Sequence, residues 1–203
     1  MNKINLSIVL LLIAFSPAIA QQKSKLIPEN RIISTLKEKS GVHLSAAEGS
    51  GVAWLKDVNF TNGTIEVDIK GKNVKQGSFI GVAFHGQSKD DCEAVYFRPF
   101  NFLATDSLAR MHMVQYVQDT LYGWERLRDE HPGVYENKLS VPPDPNNWFH
   151  VKVVVDGTVV KAYVNNALCL SVTSLNKKNT GKVGLWVGNS SDGDFANLKI
   201  SHQ

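Results

Sequence analysis

Residues 92–101 read Cys-Glu-Ala-Val-Tyr-Phe-Arg-Pro-Phe-Asn and place a carboxylate, a phenol and a guanidinium in one apolar run. Side chains alternate between the two faces of a strand. With Val95 and Phe97 in the core, Tyr96 and Arg98 share the opposite face. On the preceding run Ile80, Val82 and Phe84 take the core, and Gly81, Ala83 and His85 fall beside Tyr96 and Arg98. On the following run, Val114 in the core brings Gln115 to the same face. Small residues then form a shallow floor with polar walls. Saccharide hydroxyls are read by planar, fixed hydrogen-bonding groups such as Arg and Gln. The apolar face of a sugar ring stacks on Tyr or Trp, which lose little entropy on binding. The alternative is an ordinary exposed sheet face.

Glu93 is the candidate catalytic carboxylate of this strand. Its parity groups it with Val95, so reaching the polar face requires a bulge. A lone carboxylate needs a partner for acid–base work, and His85 and Glu136 are the candidates. Trp124, Arg128 and Tyr135 lie in a 29-residue segment, 119–147, that lacks strand rhythm and closes with Pro142-Pro143-Asp144-Pro145. Long irregular segments in compact domains tend to be functional. This one is expected to close over the floor, the alternative being an insertion that only covers a sheet edge. Trp186, opposite in parity to Val183, Leu185 and Val187, is either a sugar platform or a ring packed beneath a loop.

The elements that must position these residues are strands. Thr64–Lys70 alternates with Ile65, Val67 and Ile69 on one face. Asp156-Gly157 between β-branched runs predicts a hairpin over 150–164, with Val155 facing Thr158, Val153 facing Val160 and Val151 facing Ala162. Further strands are expected at 78–85, 92–100, 110–118, 168–172, 181–188 and 194–201. Residues 30–40 suit either a short helix or a strand and turn. Short strands without helical units between them predict an all-β, two-sheet antiparallel sandwich.

Lys3, the apolar run 8–15 and Ala18-Ile19-Ala20 have the pattern of a signal peptide over 1–20, leaving 21–203 as one sandwich domain in the periplasm or outside the cell. The apolar run is too short to cross a bilayer of roughly 30 Å, so membrane insertion is not expected. A net charge of +3 with scattered Lys and Arg gives no nucleic-acid stripe. Cys92 and Cys169 could pair after export or remain buried thiols. No histidine cluster has zinc spacing and no cofactor is expected. Asp192-Gly-Asp194 could contribute to a calcium site but falls short of the roughly six to eight oxygens calcium takes, and reads as a turn. Oligomeric state is left open.

Trp148-Phe-His-Val-Lys-Val-Val-Val-Asp-Gly157 followed by Val159-Val-Lys-Ala-Tyr-Val-Asn-Asn166 resembles the laminin-G-like hairpin. Gly181-Lys-Val-Gly-Leu-Trp-Val187 and Asp194–Ile200 resemble the terminal strands of the same superfamily, the concanavalin A-like lectins and glucanases. Within it the chain is similar to exported bacterial 3-keto-disaccharide hydrolase-like domains. The resemblance implies a jelly roll with one concave sheet that binds or cuts polysaccharides, or binds proteins. Glu66-Val-Asp68 looks like the start of the family 16 glucanase motif, but Gly71 stands where its second Glu belongs, which excludes that paired-carboxylate mechanism. The first expectation is therefore a carbohydrate-binding domain using the concave sheet. The second is a glycoside hydrolase or other sugar-processing enzyme in the same groove. The third is a protein-interaction sandwich without a sugar ligand.

Overall fold

The computed structural model describes residues 25–202; the expected signal peptide lies outside them. Fourteen strands occur among the described residues: β1 (Leu26–Glu29), β2 (Ile33–Thr35), β3 (Gly41–Leu44), β4 (Gly51–Leu55), β5 (Gly63–Lys70), β6 (Ile80–Ser88), β7 (Asp91–Phe97), β8 (Val114–Asp119), β9 (Glu136–Asn137), β10 (Phe149–Asp156), β11 (Val159–Val164), β12 (Ala167–Thr173), β13 (Lys182–Val187) and β14 (Gly193–His202). They form two antiparallel seven-stranded sheets, β1-β4-β13-β6-β7-β8-β9 (sheet A) and β12-β11-β10-β5-β14-β3-β2 (sheet B). The all-β sandwich expected from the strand rhythm is the observed fold. No described helix is long and apolar enough to cross a membrane.

The core lies between the inward rows of the two sheets. Val82, Val95 and Leu185 from sheet A and Ile65, Val67, Val151 and Val153 from sheet B are fully buried. Phe97 of β7 meets Phe149 of β10 edge to face, with centroids 5.6 Å apart, a geometry the ring quadrupoles favour.

Three local expectations are corrected. The β10–β11 hairpin pairs Val155 with Val160, Val153 with Ala162 and Val151 with Val164. Its two turn residues are Gly157 and Thr158, with Gly157 at φ +57°. A shift of two residues keeps the same valines in the core, and Lys152 now faces Tyr163, its ammonium 4.6 Å from the ring centre. Residues 110–113 do not extend the strand that follows. Ser107–Met111 is a helix, α1, because the Asp106 side chain accepts from the Ala109 N–H and caps it. The segment 119–147 is not structureless: Trp124–Glu130 forms helix α2, and β9 pairs with β8 at the sheet edge. Residues 30–40 contribute strand β2. Cys92 and Cys169 are free, buried thiols on different sheets.

Candidate functional site

One row of side chains crosses the face of sheet A turned away from the core. In register it runs Val52, Trp186, Gly81, Tyr96, Gln115, Glu136. Trp186 and Tyr96 stand two strands apart, yet their rings stack at 4.9 Å with a 30° tilt. Gly81 lies between them and offers no side chain to hold them apart. A Cβ on Gly81 would fall within 3.0 Å of the Tyr96 Cβ and closer still to the Val95 carbonyl. Gly81→Ala is therefore expected to cost about 1–2 kcal/mol by overpacking and to separate the rings, read as a lower urea midpoint with altered tryptophan fluorescence. Wild-type behaviour in both would remove the claim.

Arg98 is anchored above this row. It donates to the Tyr96 hydroxyl at 2.7 Å, to the His112 carbonyl at 3.1 Å and to the Gln115 amide oxygen at 3.4 Å, and lies 4.9 Å over the Tyr96 ring. Gln115 is fully buried and also donates to the Tyr116 and Tyr135 carbonyls, so it positions Arg98 from below. Burial lowers the Arg98 pKa and raises that of Tyr96.

Two adjoining hollows open over the row and share Phe79, Trp124 and Asn189 as walls. The first, about 500 Å³, is floored by Tyr96 and Trp186 and bordered by Asp119 and Asp90. The second, about 770 Å³, has Arg98, His112, Arg128, Phe100 and Asp106 in its lining. Helix α2 sets Trp124 between them, 44 % exposed, with the Arg128 guanidinium 4.8 Å over its ring. Glu136 receives the Arg128 Nε–H at 2.9 Å and lies 2.6 Å from His112 Nδ1. Burial holds His112 below the ordinary histidine range. Asp119, on the same sheet face, makes no side-chain hydrogen bond among the described residues. Burial, with Asp90 close by, pushes its pKa up to about 6.

Of the sequence-predicted residues, Tyr96, Arg98, Trp124 and Arg128 line the hollows and Gln115 supports them. Three do not meet there. His85 is corrected from the outer face to the core: β6 is irregular after Phe84 and His85 takes φ +51°, which reverses its parity. Glu93 follows its own parity inward and is fully buried. It lies 2.6 Å from His85 Nδ1 and 2.6 Å from the Tyr116 hydroxyl. Tyr135 packs against Tyr116 and His131 and lines neither hollow. Sequence reasoning missed Asp119 and His112 and left Trp186 undecided; parity from Tyr96 through the β8 register would have reached Asp119. The acids of the suspected calcium turn are engaged elsewhere, Asp192 by Lys72 and Asp194 by His43.

A family model described as the 3-keto-alpha-glucoside-1,2-lyase-like domain matches residues 20–201. No curated protein matches the sequence. Among solved structures, the carbohydrate-binding module CBM66 from Bacillus subtilis superposes with TM-score 0.64 at 17 % identity, over 87 % of this chain and 95 % of that one. The β-glucanase of Bacillus licheniformis gives 0.54 at 16 %, over 84 % and 82 %. The Emp46p carbohydrate recognition domain, in its metal-free form, gives 0.56 at 15 %, over 94 % and 92 %. At these identities the likeness is one of fold, the jelly-roll sandwich.

Proposed function

This chain belongs to the family of 3-keto-alpha-glucoside-1,2-lyase-like domains, and from that premise we propose that it is an exported protein that binds a saccharide in the groove over the outer face of sheet A. The observation that supports this reading most is the shared wall. Trp124 and Phe79 border both hollows, with Arg98 and Arg128 on one side and Asp119 on the other. A sugar ring seated on Trp124 would put its hydroxyls within reach of guanidinium donors and a carboxyl acceptor, the mixture of apolar area and fixed polar groups that carbohydrate sites need. The buried Tyr96–Trp186 stack keeps that floor rigid.

A glycan array that includes glucosides with and without a keto group, followed by calorimetry on the best ligand, tests the reading. Arg98→Ala and Trp124→Ala are each expected to weaken binding about tenfold or more, the loss of roughly 1.4 kcal/mol or above. Trp124 is half-exposed, so its removal leaves the core intact. Undiminished binding in both variants would place the sugar elsewhere.

A second reading, a sugar-processing enzyme in the same groove, is favoured by the family description and by acid–base groups in the lining. A 1,2-lyase acting on a 3-keto glucoside breaks a C–H bond beside a carbonyl and the neighbouring C–O bond, which calls for a positioned base.

A further inference from the structure

We propose that His112 is the general base of this groove, held in its working orientation by Glu136, and that it removes the proton from the carbon beside the carbonyl of an oxidised glycoside. The assignment rests on the sugar-processing reading above and adds to it the identity of the base.

The partners of the His112 ring fix where its hydrogens must be. His112 Nδ1 lies 2.6 Å from a Glu136 carboxylate oxygen, and the same oxygen accepts from Arg128 Nε. The Glu136 oxygen that accepts from the Arg128 guanidinium is an acceptor toward the ring as well, so the imidazole proton sits on Nδ1. Nε2 then carries the lone pair. Nε2 has no hydrogen-bond partner among the described residues, and it is not among the sealed, unpartnered buried atoms. His112 lines the larger hollow and its side chain is 17 % exposed. An unpartnered acceptor therefore opens into a cavity large enough for a disaccharide unit. Carboxylate-oriented imidazoles serve as bases because the partner fixes tautomer and angle and stabilises the imidazolium that forms.

The surroundings suit the charge that develops. As Nε2 takes the proton, the C–H electron pair forms a carbon–carbon double bond and the carbonyl oxygen becomes an oxyanion. Arg98 and Arg128 line the same hollow and supply fixed positive charge to it. The electrons return to expel the glycosidic oxygen from the adjacent carbon. That oxygen leaves as an alcohol with the proton His112 has taken. One C–H and one C–O bond break, one C=C bond forms, and no oxidant or reductant is consumed. Glu136 touches no substrate in this scheme and is a positioning residue.

Methyl 3-keto-α-D-glucoside in D₂O tests the assignment on the full chain. Wild type is expected to bind it, to exchange the C2 hydrogen for deuterium by mass spectrometry, and to release methanol. His112→Gln should slow both reactions roughly 10²–10⁴-fold, the usual contribution of a general base, with a Kd within about threefold of wild type by calorimetry. Glu136→Gln should retain binding and move the acid limb of the pH–rate profile down by about one unit, since the anion facing the imidazolium is gone. The charged groups acting on His112 besides Glu136 are Arg128 and Arg98, and Asp106 and Lys75 line the same hollow; all are unchanged in that variant. Binding with neither exchange nor methanol release in wild type, or either reaction in His112→Gln close to the wild-type rate, would overturn the base assignment and leave the saccharide reading standing. Absence of any binding would defeat both.

Discussion

Glu93→Ala should lower the unfolding free energy by about 3–5 kcal/mol, a large share of the roughly 5–15 kcal/mol that holds a domain of this kind together. The reason is a polar chain sealed between the sheets. His85 Nε2 lies 2.8 Å from the Thr61 carbonyl, which only accepts, so Nε2 carries a proton. The Tyr116 hydroxyl accepts from the Leu175 N–H at 2.9 Å and therefore donates to Glu93. Burial and the neighbouring carboxylate drive the Tyr116 pKa far upward, so that proton is held. Glu93 closes the chain at Nδ1. Every member is satisfied, which is the condition under which a buried polar network is tolerated. Removing the carboxylate strands the Tyr116 hydroxyl and His85 Nδ1 in an apolar layer and opens a cavity. Tyr116→Phe should cost about 1.5–3 kcal/mol, the range for a hydrogen bond to a charged partner. The double variant should lose less than the sum, because both remove one interaction. Urea unfolding of the four proteins measures the cycle. Additive losses, or a Glu93→Ala loss under about 1 kcal/mol, would mean the chain is not coupled.

This network shows where sequence reasoning reaches and where it stops. Alternation alone placed Val95 and Phe97 inside and Tyr96 and Arg98 outside, because a strand with one buried face fixes its parity. The same rule sent Glu93 inward, against chemical intuition, and the structure keeps it there. It failed at His85, since one left-handed residue reverses everything beyond it and a histidine gives no warning of that backbone. The hairpin was legible in type but not in register: Asp156-Gly157 marks a turn without stating which pair occupies its corners. The dyad of His112 and Glu136 was out of reach. It depends on α1 ending at Met111 and on a two-residue strand, β9, pairing with β8 twenty-odd residues away. Neither residue has a spacing that announces the other. Asp119 opens the irregular segment in the sequence and closes β8 in the structure; only the hollow above it gives its carboxyl a consequence.

That consequence has a sign. Asp119 holds its proton to about pH 6 in the folded chain, through burial and the nearby Asp90, with Lys89 opposing, against an unfolded value near 3.9. Below about pH 4 both states carry the proton and the residue is neutral in the balance. As pH rises from 4 to 6 the native state binds more protons than the unfolded chain, so folding weakens over that window. The full difference is roughly 3 kcal/mol at 1.36 kcal/mol per unit, and about 2 kcal/mol once screening by water in the open groove is allowed for. Asp119→Asn removes the ionisation while keeping the shape. The variant should match wild type near pH 3.5 and exceed it by about 2 kcal/mol at pH 7, read from paired urea titrations across the range. A difference that does not change with pH would mean that Asp119 titrates as it does in the unfolded chain. A stabilised variant with weakened sugar binding would identify the carboxyl as a group retained in the groove at the expense of the fold, a trade-off common at functional sites. The same carboxyl, neutral below pH 6, is the group in the smaller hollow that can change from hydrogen-bond donor to acceptor near neutral pH. Loss of sugar affinity between pH 5 and pH 7 in wild type, absent from Asp119→Asn, would show that the bound hydroxyl requires the protonated form.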